Sequence, residues 1–309
     1  MKETLFIINP ASARGATLRV WAEAQKEIAA AGIDFAEHLT AQPGEAKTVA
    51  RGALSDGARR IIAVGGDGTL SEVTNGYFDD DGRAINSAAA IGLLPSGTGS
   101  DFRRSLGSTS RAESIGALLR SKPRLIDVVR VEFLQPDGAS GSRFFINVAS
   151  FGLGGDVSQL VNRWRHALPR WIGGSARFTA AAIAALLHYN NVAVVLRVDG
   201  RELRINSNLI VVANGRFAGG GMMLAPQAEF DDGLLDVIVT DKATRLDVIR
   251  ELPRIKRGSH LKSPKVSQLR AIEVSINSAA PMAIDLDGEM VGYTPARLKV
   301  LPSAIRFLV

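Results

Sequence analysis

Apolar residues in the first 124 positions form short uninterrupted runs that alternate with segments of helical spacing. Uninterrupted runs are typical of parallel strands covered on both faces, and the three-to-four-residue spacing between them is typical of amphipathic helices. The pattern predicts a doubly wound α/β domain over residues 1–124. The predicted strands are 4–10, 34–40, 60–64 and 90–95, and the predicted helices are 18–31, 45–54 and 70–78.

After Pro123 the strands become longer, their apolar residues alternate with polar ones, and turn pairs such as Asp199-Gly200 separate them. This pattern predicts a β-rich, sandwich-like domain over residues 125–309, with a helical insert over about 155–190. The last strand, 304–309, could pack on either domain. We expect an active-site cleft between the two domains. The other predicted strands are 125–134, 143–149, 192–198, 209–213, 234–239, 272–276 and 282–286.

The sharpest chemical signal is a glycine-rich loop between a buried strand and a helix. Its glycines let the backbone approach a ligand, and the N–H groups of such a turn bind phosphate. Asp67 is acidic where phosphate is expected, so we expect it to hold Mg²⁺ or to orient the loop. Thr69 would cap the helix or bind phosphate. An ordinary tight turn is the alternative. The loop residues are Gly65, Gly66, Asp67, Gly68 and Thr69.

A second glycine loop, with Gly97, Thr98 and Gly99, follows the next strand. The carboxyl ends of parallel strands form the ligand-binding edge of an open α/β sheet. Asn9 and Thr40 end two further strands, so we expect them at the same edge, although an ordinary turn would also explain Thr40. Two loops on one edge are a more specific signal than one.

The second domain carries two acidic clusters. Glu229, Asp232 and Leu234 lie in the first, which follows three consecutive glycines at 219–221. Asp285, Asp287 and Glu289 form the second, and these carboxylates could serve as a general base or as Mg²⁺ ligands. Each cluster also includes an Asp-Gly pair, so a plain turn before a strand is the alternative for both.

Composition narrows the choice of function. The absence of cysteine excludes disulfides, thiolate zinc sites and cysteine nucleophiles, and the scattered histidines do not indicate a metal site. No Walker A loop is present. Lys and Arg (37) exceed Asp and Glu (31), which favours an anionic partner. No signal peptide is evident, and the most apolar helical stretch, 178–187, is too short to span a bilayer.

Two groups of basic residues suit an anionic membrane surface, although a solvated helix face explains them equally well. A nucleic-acid partner is not favoured, because no nucleic-acid-binding motif accompanies the charge. The first group also contains Trp164 and Trp171. The basic residues are Arg163, Arg165, His166 and Arg170 in the helical insert, and Lys256, Arg257, His260, Lys262 and Lys265 later in the chain.

Taken together, these motifs resemble the bacterial lipid kinases of the diacylglycerol kinase catalytic-domain family, relatives of the sphingosine kinases. The resemblance covers nearly the whole chain, and the order and spacing of the motifs are specific although each is weak alone. They are Asn9-Pro10, the loop 65–69, Pro95-x-Gly97-Thr98-Gly99, residues 147–152, the triple glycine with Pro226, residues 232–237, and Asp287-Gly288-Glu289.

The resemblance implies ATP- and Mg²⁺-dependent transfer of a phosphoryl group to a lipid hydroxyl, as in phospholipid biosynthesis. It implies nucleotide binding by the Asp67 loop, with Thr40 and Thr98 close by. It also implies a Mg²⁺ site near Glu229, Asp232 and the Leu234 carbonyl, and a general base in the Asp287–Glu289 turn. We favour Glu289 over Asp287 as the base, because a turn role is available to Asp287.

One residue departs from the family pattern: Ser100 stands where an asparagine is usual, so a nucleotide contact could be weakened or remade through water. Two competing functions remain. One is an NAD kinase or phosphofructokinase-like enzyme, and the other is a membrane-associated protein that binds nucleotide or lipid without turnover. The expected location is the cytoplasm, peripheral at the inner face of the membrane, and a homodimer is compatible with the sequence.

Overall fold

The structure is a computed structural model that describes residues 2–97, 100–107, 111–120, 122–167 and 174–309. Its contacts divide the chain into two compact units. The first unit runs to Val128 and includes Pro302–Val309, and the second is Val129–Leu301. The chain therefore leaves the first unit once and returns to it at the C-terminus.

The first unit is an α/β domain with a parallel sheet. Its strands lie in the order β17 (Glu289–Leu308), β4 (Ala90–Pro95), β3 (Arg60–Gly65), β1 (Thr4–Ile8), β2 (Phe35–Leu39), all parallel, with only the last residues of β17 taking part. Helix α1 contacts α5, and α2 contacts α3. The elements are β1 (Thr4–Ile8), α1 (Thr17–Ala30), β2 (Phe35–Leu39), α2 (Glu45–Ser55), β3 (Arg60–Gly65), α3 (Asp67–Tyr77), β4 (Ala90–Pro95), α4 (Asp101–Ser105) and α5 (Arg111–Arg120).

The register of this sheet brings its strand ends together. Ile8 pairs with Leu39 on one side and with Val64 on the other, and Val64 pairs with Leu94. All four strands are parallel, so the residues that follow them leave the same edge of the sheet. That edge is the one at which doubly wound domains bind their ligands.

The second unit is β-rich and largely antiparallel. One path of strands runs β14, β13, β10, β7, β16, β17, while β15 joins β17 to β8 and β9, and β5 joins β17 to β6. The inward side chains of these strands form one apolar core that includes Phe151, Val212 and Leu298. A helical layer made by α6, α7 and α8 has a separate apolar cluster.

The bounds of the second unit's elements, with the two strands that it shares with the first, are as follows: β5 (Pro123–Leu134), β6 (Ser140–Phe145), β7 (Val148–Gly152), α6 (Leu153–Ala167), α7 (Gly174–His188), β8 (Val192–Val198), β9 (Arg201–Ser207), β10 (Leu209–Ala213), β11 (Phe217–Ala218), β12 (Met222–Met223), β13 (Leu235–Thr240), α8 (Arg245–Ile255), β14 (Val266–Ala271), β15 (Glu273–Ser278), β16 (Ala283–Leu286) and β17 (Glu289–Leu308).

The predicted fold class is confirmed, and the differences are local. The predicted strand 143–149 is two strands, because the N–H groups of Ile146 and Asn147 donate to Asp287 instead of a neighbouring strand. The predicted final strand, 304–309, is the end of the long β17. Helix α3 begins at Asp67, three residues before the predicted start, so Asp67 belongs to its first turn. Helix α8 was not predicted.

Across the described parts of the chain, every helix is too short or too polar to cross a membrane.

Candidate functional site

The ends of four parallel strands in the first unit form a polar cluster, which we call the strand-end cluster: Asn9, Thr40, Gly65, Gly66, Asp67 and Ser96. The Asn9 side chain donates to the Thr69 hydroxyl over 3.2 Å. Thr40 donates its N–H to the Ile8 carbonyl over 2.9 Å, and Ser96 donates its N–H to the Gly65 carbonyl over 3.0 Å. The sheet therefore places these residues side by side, as their positions after the strands predict.

Gly65 is required by packing within this cluster. A Cβ atom there would overlap the Thr69 side chain, which lies over the end of β3. A Cβ at Gly66 would have only the Ser12 hydroxyl nearby, at 3.5 Å, and one at Gly97 would meet only the Ala13 Cβ, at 3.7 Å. Packing thus explains why residue 65 is a glycine. The space beside Gly66 and Gly97 would let a ligand approach the backbone closely.

Asp67 links the two glycine loops. Its carboxylate accepts a hydrogen bond from the Ser100 hydroxyl over 2.6 Å and another from the Asp101 N–H over 2.8 Å. Burial raises the pKa of this carboxyl, and the two hydrogen bonds oppose that shift. A carboxylate has about four acceptor positions, so this one keeps the capacity to bind a cation or a further donor.

Ser100 has two roles in the structure. Its hydroxyl donates to Asp67 and accepts the Arg103 N–H over 3.2 Å, which caps helix α4. The side chain is 5% exposed. An asparagine amide could fill both roles with separate atoms, since asparagine is also a good N-cap residue. Ser100, which stands where the family usually has asparagine, therefore makes one of the hydrogen bonds that join the two glycine loops.

Two glutamates hold the segment that contains Thr40. Glu72 of α3 accepts the N–H groups of Gly44 and Ala46, over 2.9 and 3.0 Å. Glu45 accepts the Ala41 N–H over 2.7 Å and contacts His38, whose hydrogen bond is the largest influence lowering the pKa of Glu45. The sequence did not single out either glutamate. The role of Glu72 depends on the packing of α2 against α3, whereas Glu45 bonds to N–H groups only three and four residues before it.

The remaining residues predicted for the nucleotide divide into two groups. Gly68 and Thr69 lie in the first turn of α3, and Gly97 follows β4. Thr98 and Gly99 lie outside the described residues, so their predicted contacts stay predictions.

In the second unit, Asp287 is tied to the backbone. Its carboxylate accepts the N–H groups of Ile146, Asn147 and Val148, over 3.2, 3.2 and 3.0 Å. Its φ is +50°, in the left-handed region that Asp-Gly turns use. These contacts fit a structural role, as the turn interpretation proposed for this residue.

Glu289, at the start of β17, has a different environment. Its carboxylate lies 3.2 Å from the Arg143 guanidinium, and its side chain is 43% exposed. An exposed pair of this kind contributes about 1 kcal/mol or less to stability. The Glu289 carboxylate is therefore accessible to a ligand, whereas Asp287 is held within the fold.

Asp285 is a buried acid that the sequence did not rank. It lies in β16 beside a register shift between Ile284 and Asp285. Burial raises the pKa of Asp285 to about 6, although hydrogen bonds with Ser158, the Gly288 backbone and Ser150 oppose the shift. The signal that could have identified it is its position inside an otherwise uninterrupted apolar run, since Ile284 and Leu286 on either side are buried as well.

The predicted metal residues have other contacts. The Asp232 carboxylate accepts the Leu234 N–H over 3.0 Å and is paired with Arg270. Glu229 lies 4.0 Å from Arg216. Within the described ranges, no three acidic or histidine side chains converge as a metal site would require. The predicted Mg²⁺ site at Glu229, Asp232 and the Leu234 carbonyl stays a prediction.

The triple glycine forms the loop of a small hairpin between β11 and β12. Gly219, Gly220 and Gly221 all have positive φ values, between 64° and 102°. Side chains other than glycine are strained in that conformation, which explains the run of three.

The second unit also contains a small apolar cavity of about 50 Å³. It lies between strands β10 and β13 on one side and helix α8 on the other. Leu209, Val211 and Ile238 line the sheet side, and Val248 and Ile255 line the helix side. His260 also lines it and is 4% exposed, so it does not belong to the predicted basic surface. Burial lowers the pKa of His260, as expected for an imidazole in apolar surroundings.

Two models of known protein families match this chain, one over each part of it. Residues 3–131 match the diacylglycerol kinase catalytic domain, and residues 147–309 match the YegS C-terminal NAD kinase beta sandwich-like domain. A "probable lipid kinase YegS-like" protein of Chromohalobacter salexigens is 31% identical over 98% of this chain and 92% of its own. The diacylglycerol kinase of Bacillus subtilis is 28% identical, over 96% of this chain and 92% of its own.

Solved structures show the same fold. A diacylglycerol kinase from Bacillus anthracis has a TM-score of 0.71 at 20% identity, covering 99% of this chain and 96% of its own. The yeast NADH kinase, solved with NADH, is more distant, with a TM-score of 0.53 at 10% identity over 99% of this chain and 82% of its own. The chain therefore belongs to the family of diacylglycerol kinases and YegS-like lipid kinases.

Proposed function

We propose that the protein is an ATP- and Mg²⁺-dependent lipid kinase that transfers the γ-phosphoryl group to a hydroxyl of a diacylglycerol-like lipid. Family membership supports a kinase that uses ATP. The main observation in favour of a lipid acceptor is the apolar cavity of the second unit, because a cavity with an apolar lining binds apolar ligands.

The strand-end cluster is assigned to ATP. Gly66 and Gly97 leave room for phosphate oxygens beside the backbone, and the start of α3 adds N–H groups whose dipoles favour an anion. Asn9 and Thr69 bond to each other and support the loop. The polyphosphate would be held mainly by backbone groups, as the absence of a Walker A lysine requires.

Asp67 suits a cation that accompanies ATP. Magnesium is commonly held by one or two carboxylates together with substrate phosphates, and Asp67 supplies one such carboxylate. When bound, Mg²⁺ would offset the charge of the phosphates. The hydrogen bonds from Ser100 and the Asp101 N–H would fix the direction in which the Asp67 carboxylate points.

The apolar cavity is assigned to the hydrocarbon part of the acceptor. The surface that the cavity presents is mostly apolar, with Thr240, Asp247 and Glu251 also among its lining residues. Each CH₂ group of an acyl chain buried there would contribute about 0.8 kcal/mol. A dinucleotide such as NAD is polar and charged, so it would gain little from contact with an apolar lining. The cavity therefore favours a lipid over a dinucleotide.

Glu289 is assigned as the general base. Its carboxylate would accept the proton of the lipid hydroxyl as the new O–P bond forms and the bond between the γ-phosphorus and the bridging oxygen breaks, so that ADP leaves. Arg143 would hold the carboxylate in place. Asp287 would keep the turn in shape through its three backbone contacts.

A panel of acceptors tests the proposal. The purified protein is incubated with ATP labelled at the γ-phosphate, Mg²⁺, and in turn diacylglycerol, a phospholipid with a headgroup alcohol, a sphingoid base, NAD and fructose 6-phosphate. Label in a lipid product supports the proposal and names the lipid. Label in NAD or in the sugar phosphate supports the competing kinases, and ATP binding without any labelled product supports the non-catalytic alternative.

A further inference from the structure

The outer face of helices α7 and α8 exposes an unusual amount of apolar surface. Among the residues that the structure describes, four of the ten exposed large apolar side chains lie on these two helices. They are Ile183 and Leu187 on α7, 41% and 60% exposed, and Leu246 and Ile249 on α8, 52% and 42% exposed. We call these four residues, with Pro253, the helical apolar face.

The spacing of these residues shows that the face is continuous along each helix. Ile183 and Leu187 are four residues apart, and Leu246, Ile249 and Pro253 follow at intervals of three and four, so each set occupies one side of its helix. A different side of each helix faces the core, where Ala182 and Leu186 of α7 pack with Val248 and Leu252 of α8. The exposed face is therefore additional to the core-facing side.

Cationic residues surround the part of this face on α8. The exposed positions of the helix and of the residues directly after it include five basic side chains: Arg245, Arg250, Arg254, Lys256 and Arg257. The acidic residues of the helix are partly buried and engaged. Asp247 forms the capping box with Thr244 at the start of α8, and Glu251 is paired with Arg254. The outward charge is thus positive.

Apolar side chains among exposed arginines are the composition of a helix that lies in the interface of an anionic membrane. A face that only contacts water would not need the four large apolar residues, and contact with an acidic protein alone would not explain their size. Helix α8 also forms one wall of the apolar cavity, through Val248 and Ile255 on its inner side.

From these observations we infer that the helical apolar face and the arginines of α8 dock the protein on an anionic lipid surface. The inference deepens the proposed function, because it names the surface from which a lipid acceptor would be taken. It does not depend on turnover, since binding to a membrane is measured without ATP.

The test is sedimentation with vesicles of phosphatidylcholine alone and of phosphatidylcholine mixed with phosphatidylglycerol. The wild-type protein should bind the mixed vesicles and bind them less as salt increases. Arg250→Gln combined with Arg257→Gln should weaken binding by about 25-fold, since each arginine near the surface contributes about 1 kcal/mol. Leu246→Ser combined with Ile249→Ser should weaken it at least about tenfold through lost apolar burial.

A matched control lies on α1 of the first unit, where Leu18 is 44% exposed and is followed by the exposed Arg19. Leu18→Ser combined with Arg19→Gln changes the same residue types and should leave vesicle binding unaltered. Circular dichroism and thermal unfolding confirm that each variant is folded. Equal binding by all variants, or no binding of the wild-type protein to either vesicle, overturns the inference.

Turnover separates this inference from the proposed function. With a short-chain diacylglycerol dissolved in the buffer, the α8 variants should phosphorylate the acceptor at the wild-type rate. If no lipid is phosphorylated but the vesicle results hold, the docking surface stands and the proposed function fails. If the variants lose activity on the soluble acceptor in proportion to binding, α8 acts within the catalytic site and the docking inference is wrong.

Discussion

The two units carry carboxylates in similar Gly- and Asp-rich turns, and their environments differ. In the first unit, Asp67 begins a helix and accepts hydrogen bonds from the Ser100 hydroxyl and from the backbone N–H groups of Asp101 and Phe102. In the second unit, Asp287 accepts three backbone N–H groups, while Glu289, two residues later, is exposed beside Arg143. Short acidic turns therefore differ in chemical availability according to the exposure of each carboxylate and the donors that the fold directs at it.

The largest expected effect comes from removing the Asp67 carboxylate. Asp67→Asn should lower turnover by about 10²–10³-fold and also weaken ATP binding, because losing one electrostatic contact to the reacting group costs that much in comparable sites. The amide oxygen can still accept the Asp101 N–H while the amide NH₂ group donates to the Ser100 hydroxyl, so the free energy of unfolding should change little. Steady-state kinetics together with thermal unfolding check this. Turnover near that of the wild-type protein would remove Asp67 from the reaction.

Glu289→Gln sharpens the comparison within the second unit. Loss of proton acceptance should lower turnover by about 10²–10⁴-fold while the fold is kept. Asp287→Asn serves as the matched control: it should cost less turnover but lower the free energy of unfolding by about 1–3 kcal/mol, because its backbone donors lose a charged acceptor. Steady-state kinetics measures the turnover of both variants, and urea unfolding measures their free energy of unfolding. A greater loss of turnover in the Asp287 variant would invert the two roles.

Asp285 predicts a pH dependence of stability. Its pKa is raised to about 6 in the fold, from an ordinary value of 3.8. Below about pH 4 it is protonated whether the chain is folded or not, so burial carries no penalty. Between pH 4 and pH 6 the unfolded chain ionises first and the free energy of unfolding falls, and above pH 6 the loss is complete, at about 3 kcal/mol.

Asp285→Asn removes this penalty. The stability of the variant relative to the wild-type protein should therefore rise by about 3 kcal/mol between pH 4 and pH 7. Urea unfolding at a series of pH values measures it. A constant difference between the two proteins over that range would show that Asp285 does not titrate as described.

The smallest expected effect is at Ser100. If serine makes a weaker nucleotide contact than the usual asparagine, Ser100→Asn should tighten ATP binding by up to about tenfold, the value of one hydrogen bond. The amide can also bond to Asp67 and cap α4 in place of the hydroxyl. Titration calorimetry with ATP measures the change. Unchanged or weaker binding would show that the surrounding loops are adapted to serine.

The fold and the strand-end cluster could be predicted because local patterns determine them. Uninterrupted apolar runs identify parallel strands, and the ends of parallel strands meet at one edge. The role of Glu72 could not be predicted, since it depends on backbone N–H groups at the start of α2 that only the packed structure brings to it. The pairing of Asp232 with Arg270 was also out of reach, because Arg270 lies on a strand, β14, that the alternation did not reveal.

The division of roles between Asp67 and Glu289 is tested most directly by ATP affinity without any lipid. Calorimetric titration of the wild-type protein, Asp67→Asn and Glu289→Gln with ATP and Mg²⁺ separates nucleotide binding from the acceptor. We predict that Asp67→Asn weakens ATP binding and that Glu289→Gln leaves it unchanged. Weaker ATP binding in the Glu289 variant, or wild-type affinity in the Asp67 variant, would contradict the assignment of the nucleotide to the first unit and the base to the second.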